Sequence, residues 1–210
     1  YAQSVRAPNI AALFSPTTSS LTNLSDDPCA SLDDGGNSLG RPTPSGELLA
    51  ICLAQGAPAS SIGAIALPTA GQANSTTAGN TSLKPETSKQ RSIGVVFAPA
   101  GNFNLSLDWW EIERLNTIRS PDITMLRDSY AVFSDRWVRN PDGSLDYLDR
   151  TYANTGGTLM SGVELDANLN GELAGGTWRV NLNGSYLDNF QQRVLVEEPY
   201  TANEVGKYVR

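Results

Sequence analysis

The stretch Asn80-Thr81-Ser82-Leu83-Lys84-Pro85-Glu86-Thr87-Ser88, continued by residues 89–97, marks the place where a loop ends and a two-faced β-strand begins. Proline cannot donate a ladder hydrogen bond and drives the residue before it toward extended geometry, so Lys84-Pro85 predicts the start of a strand. In the strand that follows, one face carries Arg91, Ile93, Val95 and Phe97. The other face carries Gln90, Ser92, Gly94 and Val96. This period of two predicts a sheet with one apolar and one mixed face.

Three later segments repeat this alternation: residues 103–109, 163–170 and 177–189. At Trp110 and Ile112 the phase breaks, which predicts either a β-bulge or two aromatic rings at an apolar boundary. The fold class is therefore all-β with antiparallel strands. Alternation alone fits a soluble sandwich with apolar faces inward, or a membrane barrel with apolar faces toward lipid.

The composition narrows the function classes. The net charge of −7 disfavours a nucleic-acid partner, because phosphate binding needs a basic surface. The sequence has no histidine, which removes imidazole bases and the commonest metal ligand, so we expect no enzyme, no catalytic residues and no cofactor. No apolar run reaches the roughly 18 residues of a transmembrane helix, whereas barrel strands need only about 10 alternating residues.

The lengths of the connections favour a barrel. Long connections at 15–79 and 116–152 alternate with short turns at 99–102 and 171–176, as expected for extracellular loops and periplasmic turns. Five or six strands are fewer than the roughly eight of the smallest barrels. The chain also opens in mid-strand at Tyr1-Ala2-Gln3-Ser4-Val5-Arg6, so we expect a section of a longer barrel that would form a curved open sheet if isolated.

The two cysteines, Cys29 and Cys52, both lie in the first long loop. Two cysteines without histidine cannot form a four-ligand zinc site. A disulfide between them would stabilise a loop with little core by about 3 kcal/mol and would indicate an oxidising compartment. The alternative is two reduced, unrelated thiols.

Local signals predict some order inside the long loops. Ser45 is positioned to cap a helix over residues 46–54, and Ser120-Pro121-Asp122 to open another. Asn140-Pro141-Asp142-Gly143 predicts a hairpin turn.

Four acidic residues fit no EF-hand spacing and are expected to be solvated: Asp26, Asp27, Asp33 and Asp34. Glu164 and Asp166 share the polar face of a strand, where a polar barrel lumen is a better explanation than a glycosidase pair.

Five aromatic residues in the second long loop are candidate ligand-binding residues: Tyr130, Phe133, Trp137, Tyr147 and Tyr152. Aromatic rings of this kind stack on sugars or catecholates. The alternative is that they form a small core that holds the loop hairpin together.

Three landmarks together resemble the β-barrel of TonB-dependent outer-membrane receptors. Val5-Arg6-Ala7-Pro8-Asn9 resembles that family's Phe-Arg-Ala-Pro-Ser, and residues 80–87 resemble its Asn-Pro-x-Leu-Lys-Pro-Glu-x signature. Asn154-Thr155-Gly156, followed by Gly162-Val163-Glu164-Leu165, is similar to its Asn-x-Gly and Gly-Val-Glu-Leu strand. The segment around Asp27-Pro28-Cys29 and Cys52 also resembles a disulfide loop of one proteobacterial branch.

The resemblance implies a partial barrel domain over residues 1–210, about a quarter of the family's roughly 22 strands, in the bacterial outer membrane. Residues 15–79 and 116–152 would be extracellular loops. The implied function is import of a scarce small-molecule or oligosaccharide ligand, such as an iron siderophore or another metal complex. Its partners would be outer-membrane lipid and TonB, the latter through a plug domain that this chain lacks. A secreted all-β ligand- or carbohydrate-binding module is the alternative.

Overall fold

The computed structural model describes residues 1–207, which form two compact units. The first, here the sheet unit, comprises Tyr1–Ala7, Lys84–Thr117 and the described residues from Asn154 onward. The second, here the loop unit, comprises Pro8–Leu83 and Ile118–Ala153. The end of the predicted domain at residue 210 lies outside the described residues.

The sheet unit contains five strands, namely β1 (Ala2–Arg6), β4 (Glu86–Ala100), β5 (Phe103–Arg119), β8 (Ala153–Leu173) and β9 (Gly176–Arg193). Their order is β1-β4-β5-β8-β9. The β1/β4, β4/β5 and β8/β9 pairs are antiparallel, as the alternation predicts. The order is linear, so the sheet is open and β1 and β9 are its edges.

The strand register separates two faces of this sheet. Ile93 pairs with Trp109 and Val95 with Leu107, and directly paired residues point to the same face. In the second hairpin, apolar residues likewise meet apolar residues, as in Ala167 with Leu182 and Leu169 with Val180. The intervening pairs are polar, such as Asp166 with Asn183. The sheet therefore has one apolar face and one polar face.

Most of the apolar face is open to solvent. Exposed fractions include 72% for Ile93, 69% for Val95, 50% for Leu107, 56% for Val180 and 58% for Leu182. Eight apolar residues distinguish the two architectures, because a barrel exposes them to lipid whereas a sandwich buries them between two sheets. None of these eight is buried: Ile93, Val95, Leu105, Leu107, Val163, Leu165, Val180 and Leu182. Side chains this exposed are not packed between two sheets, so the sandwich arrangement is not observed among the described residues.

The strands are longer than the sequence pattern indicates. β5 continues to Arg119, so the predicted loop at 116–152 begins inside a strand, and β8 begins at Ala153 rather than near Val163. The register of β4 and β5 runs without a shift through Trp110, which therefore lies on the face opposite Trp109. Of the two explanations for the phase break, a bulge at Trp110 is thus wrong. The sequence pattern does not mark these extensions, because apolar residues such as Leu115 and Ile118 do not alternate with polar ones.

The loop unit contains α1 (Ile10–Phe14), α2 (Gly46–Ala54) and α3 (Ile123–Asp128), with 3₁₀ turns at Ala59–Ser61, Thr69–Gly71 and Ser134–Arg136. Its four strands are β2 (Thr18–Asn23), β3 (Gln72–Thr77), β6 (Trp137–Arg139) and β7 (Leu145–Asp149). They form one sheet in the order β2-β3-β7-β6. The β3/β7 pair is parallel, an exception to the predicted antiparallel pairing.

The capping predictions were partly correct. α2 has the predicted bounds and Gly56 follows it with φ of +97°, but the Ser45 side chain makes no capping hydrogen bond. α3 is capped by Asp122, whose carboxylate accepts from the Met125 amide at 2.8 Å, and not by Ser120. The predicted hairpin is confirmed as the β6/β7 pair.

The two predicted loops share one core. It buries side chains from both segments, including Leu24, Leu126, Trp137 and Leu148, each at most 1% exposed. The core thus combines residues that are far apart in the sequence, and no local pattern in either segment marks them. Across residues 1–207, no helix combines the length and apolar character needed to cross a membrane.

Candidate functional site

A buried ion pair lies at the centre of the loop unit. Arg139, at the end of β6, donates to both carboxylate oxygens of Asp27, at 2.7 and 2.8 Å. Both side chains are 0% exposed. Asp27 Oδ1 also accepts from the Cys29 amide at 2.9 Å. Because paired, hydrogen-bonded charges of this kind are costly to separate, the contact fixes two segments 112 residues apart against each other.

Gln55 and Tyr130 complete a network around this pair. Gln55 Oε1 accepts from Arg139 Nε at 2.7 Å and from the Tyr130 hydroxyl at 2.6 Å. Gln55 Nε2 donates to the Ser134 carbonyl at 2.7 Å. The network thus connects the C-terminal end of α2 to β6 and to the segment that precedes it.

The hydrogen-bond network stabilises the positively charged form of Arg139. Burial disfavours the guanidinium charge, but hydrogen bonds to Asp27 and its negative charge outweigh that cost, so the pKa of Arg139 is raised. Burial also raises the pKa of the Tyr130 hydroxyl, against the opposing effect of Arg139. Tyr130 therefore remains a neutral donor and Arg139 a cation at any physiological pH.

The Cys29–Cys52 disulfide is confirmed, with Cα atoms 5.9 Å apart. Both cysteines are fully buried, and Cys29 Sγ lies 3.0 Å from the Tyr130 hydroxyl. The disulfide joins the segment that carries Asp27 to α2, and Gln55 directly follows α2. The disulfide and the Asp27–Arg139 ion pair therefore hold the same group of buried side chains together.

The five predicted ligand-binding aromatics divide into two groups. Tyr130, Phe133 and Trp137 are at most 8% exposed, and the Tyr130 and Trp137 rings meet edge to face with centroids 5.0 Å apart. These three contribute to the core of the loop unit. Tyr147 and Tyr152 are half-buried. Ligand contact by any of the five remains a prediction.

A cleft of about 370 Å³ opens beside the buried network. Its walls include Ile51, Ala54, Gln55, Ser134, Trp137 and Arg139. Trp137 is the one predicted aromatic on this wall. The cleft thus combines an apolar helix surface with the edge of the polar network.

Glu164 and Asp166 lie on the polar face of the sheet, as their alternation predicts. With Ser106, Asp108, Asn183 and Ser185 they line a groove of about 340 Å³. Asp166 accepts hydrogen bonds from Asn168 and Asn183. Among residues 1–207, no three acidic, histidine or cysteine side chains are arranged to hold a metal ion. The groove is therefore polar, although Trp110 and Ile112 lie further along β5 on the same face.

Sequence reasoning missed the partners at the centre of the network. Asp27 was expected to be solvated, and that expectation is wrong because the residue is fully buried against Arg139. No motif marks Arg139 or Gln55, since neither lies in a periodic pattern. The available signal was the position of Asp27 two residues before Cys29, in a segment that the disulfide holds in place.

The family model described as TonB dependent receptor-like, beta-barrel, matches residues 1–210. No curated protein sequence matches. The siderophore receptor PirA from Pseudomonas aeruginosa is 16% identical, with 90% of this chain and 26% of that chain covered and a TM-score of 0.39.

Two further solved structures match a smaller part of this chain. PirA from Acinetobacter baumannii is 19% identical over 61% of this chain and 18% of its own, with a TM-score of 0.37. A mutant of the ferric enterobactin receptor PfeA from Pseudomonas aeruginosa is 19% identical over 55% and 15%, with a TM-score of 0.36. This chain thus spans 15–26% of the length of these three structures. The family match over all 210 residues shows that the chain belongs to the TonB-dependent receptors, as part of their outer-membrane β-barrel.

Proposed function

We propose that this chain is part of a receptor that imports a scarce nutrient across the outer membrane with energy transduced by TonB. The observation that carries the proposal is the sidedness of the five-stranded sheet. One face is apolar and exposed, as a lipid-facing surface requires, and the other is polar, as a barrel lumen requires. A secreted binding module would bury that apolar face against a second layer.

The loop unit is proposed to lie outside the cell. β4 and β5 are joined by a short turn, as are β8 and β9, whereas the opposite strand ends lead into long segments of the loop unit. This asymmetry supports assigning residues 15–79 and 116–152 to the extracellular side and the short turns to the periplasmic side. A buried disulfide in the loop unit fits an oxidising environment.

The ligand is proposed to be an iron siderophore, another metal complex or an oligosaccharide. Of the predicted aromatics, Tyr147 and Tyr152 are the better candidates for ligand contact, because these two residues are only half-buried whereas the other three are buried. Tyr130, Phe133 and Trp137 are instead assigned to positioning the loop unit. TonB would act through a plug domain, and outer-membrane lipid would surround the apolar face.

Uptake by the complete receptor tests this proposal. The receptor gene is expressed in strains with and without tonB, and uptake of ⁵⁵Fe-loaded siderophores and of labelled oligosaccharides is measured. The proposal expects uptake of one ligand class in the strain with tonB only. Equal uptake in both strains, or uptake of no ligand from either class, would refute it. Replacement of Tyr147 by Ala, with the buried Phe133→Leu as control, then tests the aromatic assignment through the apparent affinity.

A further inference from the structure

Charged side chains occupy one end of the apolar face on β4 and β5. Four of them form two directly facing pairs, here termed the charged patch: Lys89 with Glu113 and Arg91 with Glu111. The next facing pair along the strands is Ile93 with Trp109, and alternate residues of a strand share a face. At the other end, beside the short turn, the facing pair is Phe97 with Leu105. On these two strands the apolar face is thus charged at one end only.

The charged patch lies at the height of lipid headgroups when the apolar face is turned toward lipid. Residues two apart on a strand are separated by about 6.6 Å, and barrel strands tilt by about 40°, so Arg91 lies about 5 Å and Lys89 about 10 Å beyond Ile93. The headgroup layer is about 5–7 Å thick on each side of the bilayer. Trp109 and Tyr186 lie on the apolar face at this border, where barrels carry aromatic girdles.

The two cations of the patch retain donors for an external anion. Lys89 is exposed and, across residues 1–207, takes part in no ion pair. Arg91 Nη1 lies 3.2 Å from Glu111 Oε1, but the Arg91 side chain is 65% exposed. A guanidinium group carries five N–H donors, so one contact with Glu111 leaves most of them open. The Glu111 contact therefore orients Arg91 without consuming its donors.

Glu113 is engaged by groups other than Lys89. Its Oε1 atom accepts from the Tyr200 hydroxyl at 2.9 Å and lies 3.5 Å from Arg193 Nη2. The Arg193 guanidinium also lies over the Tyr200 ring, 4.3 Å from its centroid. With Arg193 included, three cations face two carboxylates at this level. The level is thus net positive, although the whole chain carries −7.

The charged patch lies in the interior of the sheet and not at an open edge. β4 is flanked by β1 and β5, and β5 is flanked by β4 and β8. Gln3 of β1 pairs with Lys89. The neighbours of the patch on both sides along the sheet therefore belong to this chain.

We propose that the charged patch binds the phosphorylated headgroup of an outer-leaflet lipid, with Lys89 and Arg91 as the residues that contact phosphate. Both side chains donate charge-assisted hydrogen bonds to phosphate oxygens. The partner is a lipid because the patch continues directly into the apolar face, where Ile93 would lie against the acyl chains. The outward orientation of this face rests on the proposed function. The headgroup preference does not depend on transport.

Fluorescence quenching in lipid vesicles tests this surface. The full receptor is labelled at Ile93→Cys and reconstituted in phosphatidylcholine vesicles that contain brominated diphosphoryl lipid A or, at equal mole fraction, brominated phosphatidylcholine. The wild-type patch is expected to favour diphosphoryl lipid A, and monophosphoryl lipid A less. Lys89→Gln and Arg91→Gln should each lower the relative association constant about fivefold, and the double variant at least about tenfold.

Arg114→Gln is the matched control. It removes the same charge next to Glu113, but Arg114 pairs with Ser88 on the opposite face of the sheet. The preference for diphosphoryl lipid A should therefore stay within about twofold of the wild type. Heat-modifiable migration on gels verifies that each variant is folded.

Three results would overturn the inference. The first is equal quenching by lipid A and phosphatidylcholine in the wild type, and the second is an equal loss in Lys89→Gln and Arg114→Gln. The third is loss of the preference on addition of inorganic phosphate but not of sodium chloride at equal ionic strength, which would identify a site for a free anion.

The outcomes separate this inference from the proposed function. Quenching by phosphatidylcholine without a preference for lipid A refutes this inference alone. A patch-dependent preference for lipid A without TonB-dependent uptake refutes the proposed function alone. Absence of quenching by either lipid refutes the lipid-facing sheet, and with it both proposals.

Discussion

Replacement of Arg139 by Met should open the loop unit without affecting the sheet unit. The change removes two hydrogen bonds to Asp27 and one to Gln55 at 2.7–2.8 Å, and two longer ones to the Gly143 carbonyl and the Tyr130 hydroxyl at 3.1 and 3.3 Å. It leaves the Asp27 carboxylate buried without a counter-charge. Loss of one partner from such a pair costs about 3–5 kcal/mol. In hydrogen–deuterium exchange, amides of β6, β7 and α2 should exchange roughly 100 to 5,000 times faster, because each 1.36 kcal/mol is about tenfold.

The matched control is Arg127→Met in the same unit. Arg127 pairs with Asp128 at 2.9 Å, but the two side chains are 37% and 59% exposed, so the loss should be about 1 kcal/mol or less. The double variant Asp27→Leu with Arg139→Met should cost at least about 1 kcal/mol less than the sum of the single variants, since no charge stays buried. Equal exchange in Arg139→Met and Arg127→Met, or additive losses in the double variant, would refute the central role of this pair.

Two further predictions concern the same unit. Replacing both Cys29 and Cys52 by Ser should lower the free energy of unfolding of the loop unit by about 3 kcal/mol, measured by urea titration; an unchanged midpoint would contradict this. Stability of the loop unit should be constant from about pH 5 to 9 and fall in acid. Hydrogen bonds from Asn37 lower the pKa of Asp33, and those from Ser144 lower the pKa of Asp142. Each carboxylate therefore stabilises the fold above its ordinary pKa of 3.8, and this contribution is lost as pH falls through the lowered value. Thermal melts measured across this pH range test the predicted pH dependence. Loss of stability already at neutral pH would contradict it.

The sheet unit was largely predictable because its information is local. A period of two fixes which residues share a face, and short turns fix which strands are neighbours. Pro85 marked the start of β4 to within a residue. The strand ends toward the loop unit were not predictable, since Glu113 lies on one face and Arg114 and Asn116 on the other, so polar residues occupy both faces and the sequence shows no alternation.

The loop unit was predictable only in its short-range parts. The bounds of α2, the turn before β7 and the disulfide follow from residues close in sequence or from the count of cysteines. The parallel pairing of β3 with β7 and the Arg139–Asp27 pair join segments that no local pattern relates. Tyr130, Phe133 and Trp137 are buried because these distant segments pack together. The sequence therefore could not distinguish a core role from a ligand-binding role for them.

The most direct test of the account is the environment of alternate residues along β9. Single cysteines are placed at positions 179–182 of the full receptor in lipid vesicles and carry a fluorescent label, while brominated lipid serves as the quencher. Within residues 1–207 both native cysteines are held in the disulfide, so in this part of the receptor the added thiol is the one that reacts. Strong quenching at Val180 and Leu182, with weak quenching at Arg179 and Asn181, is the expected result. Equal quenching at all four positions, or the reverse pattern, would contradict a lipid-facing apolar surface and with it the receptor function.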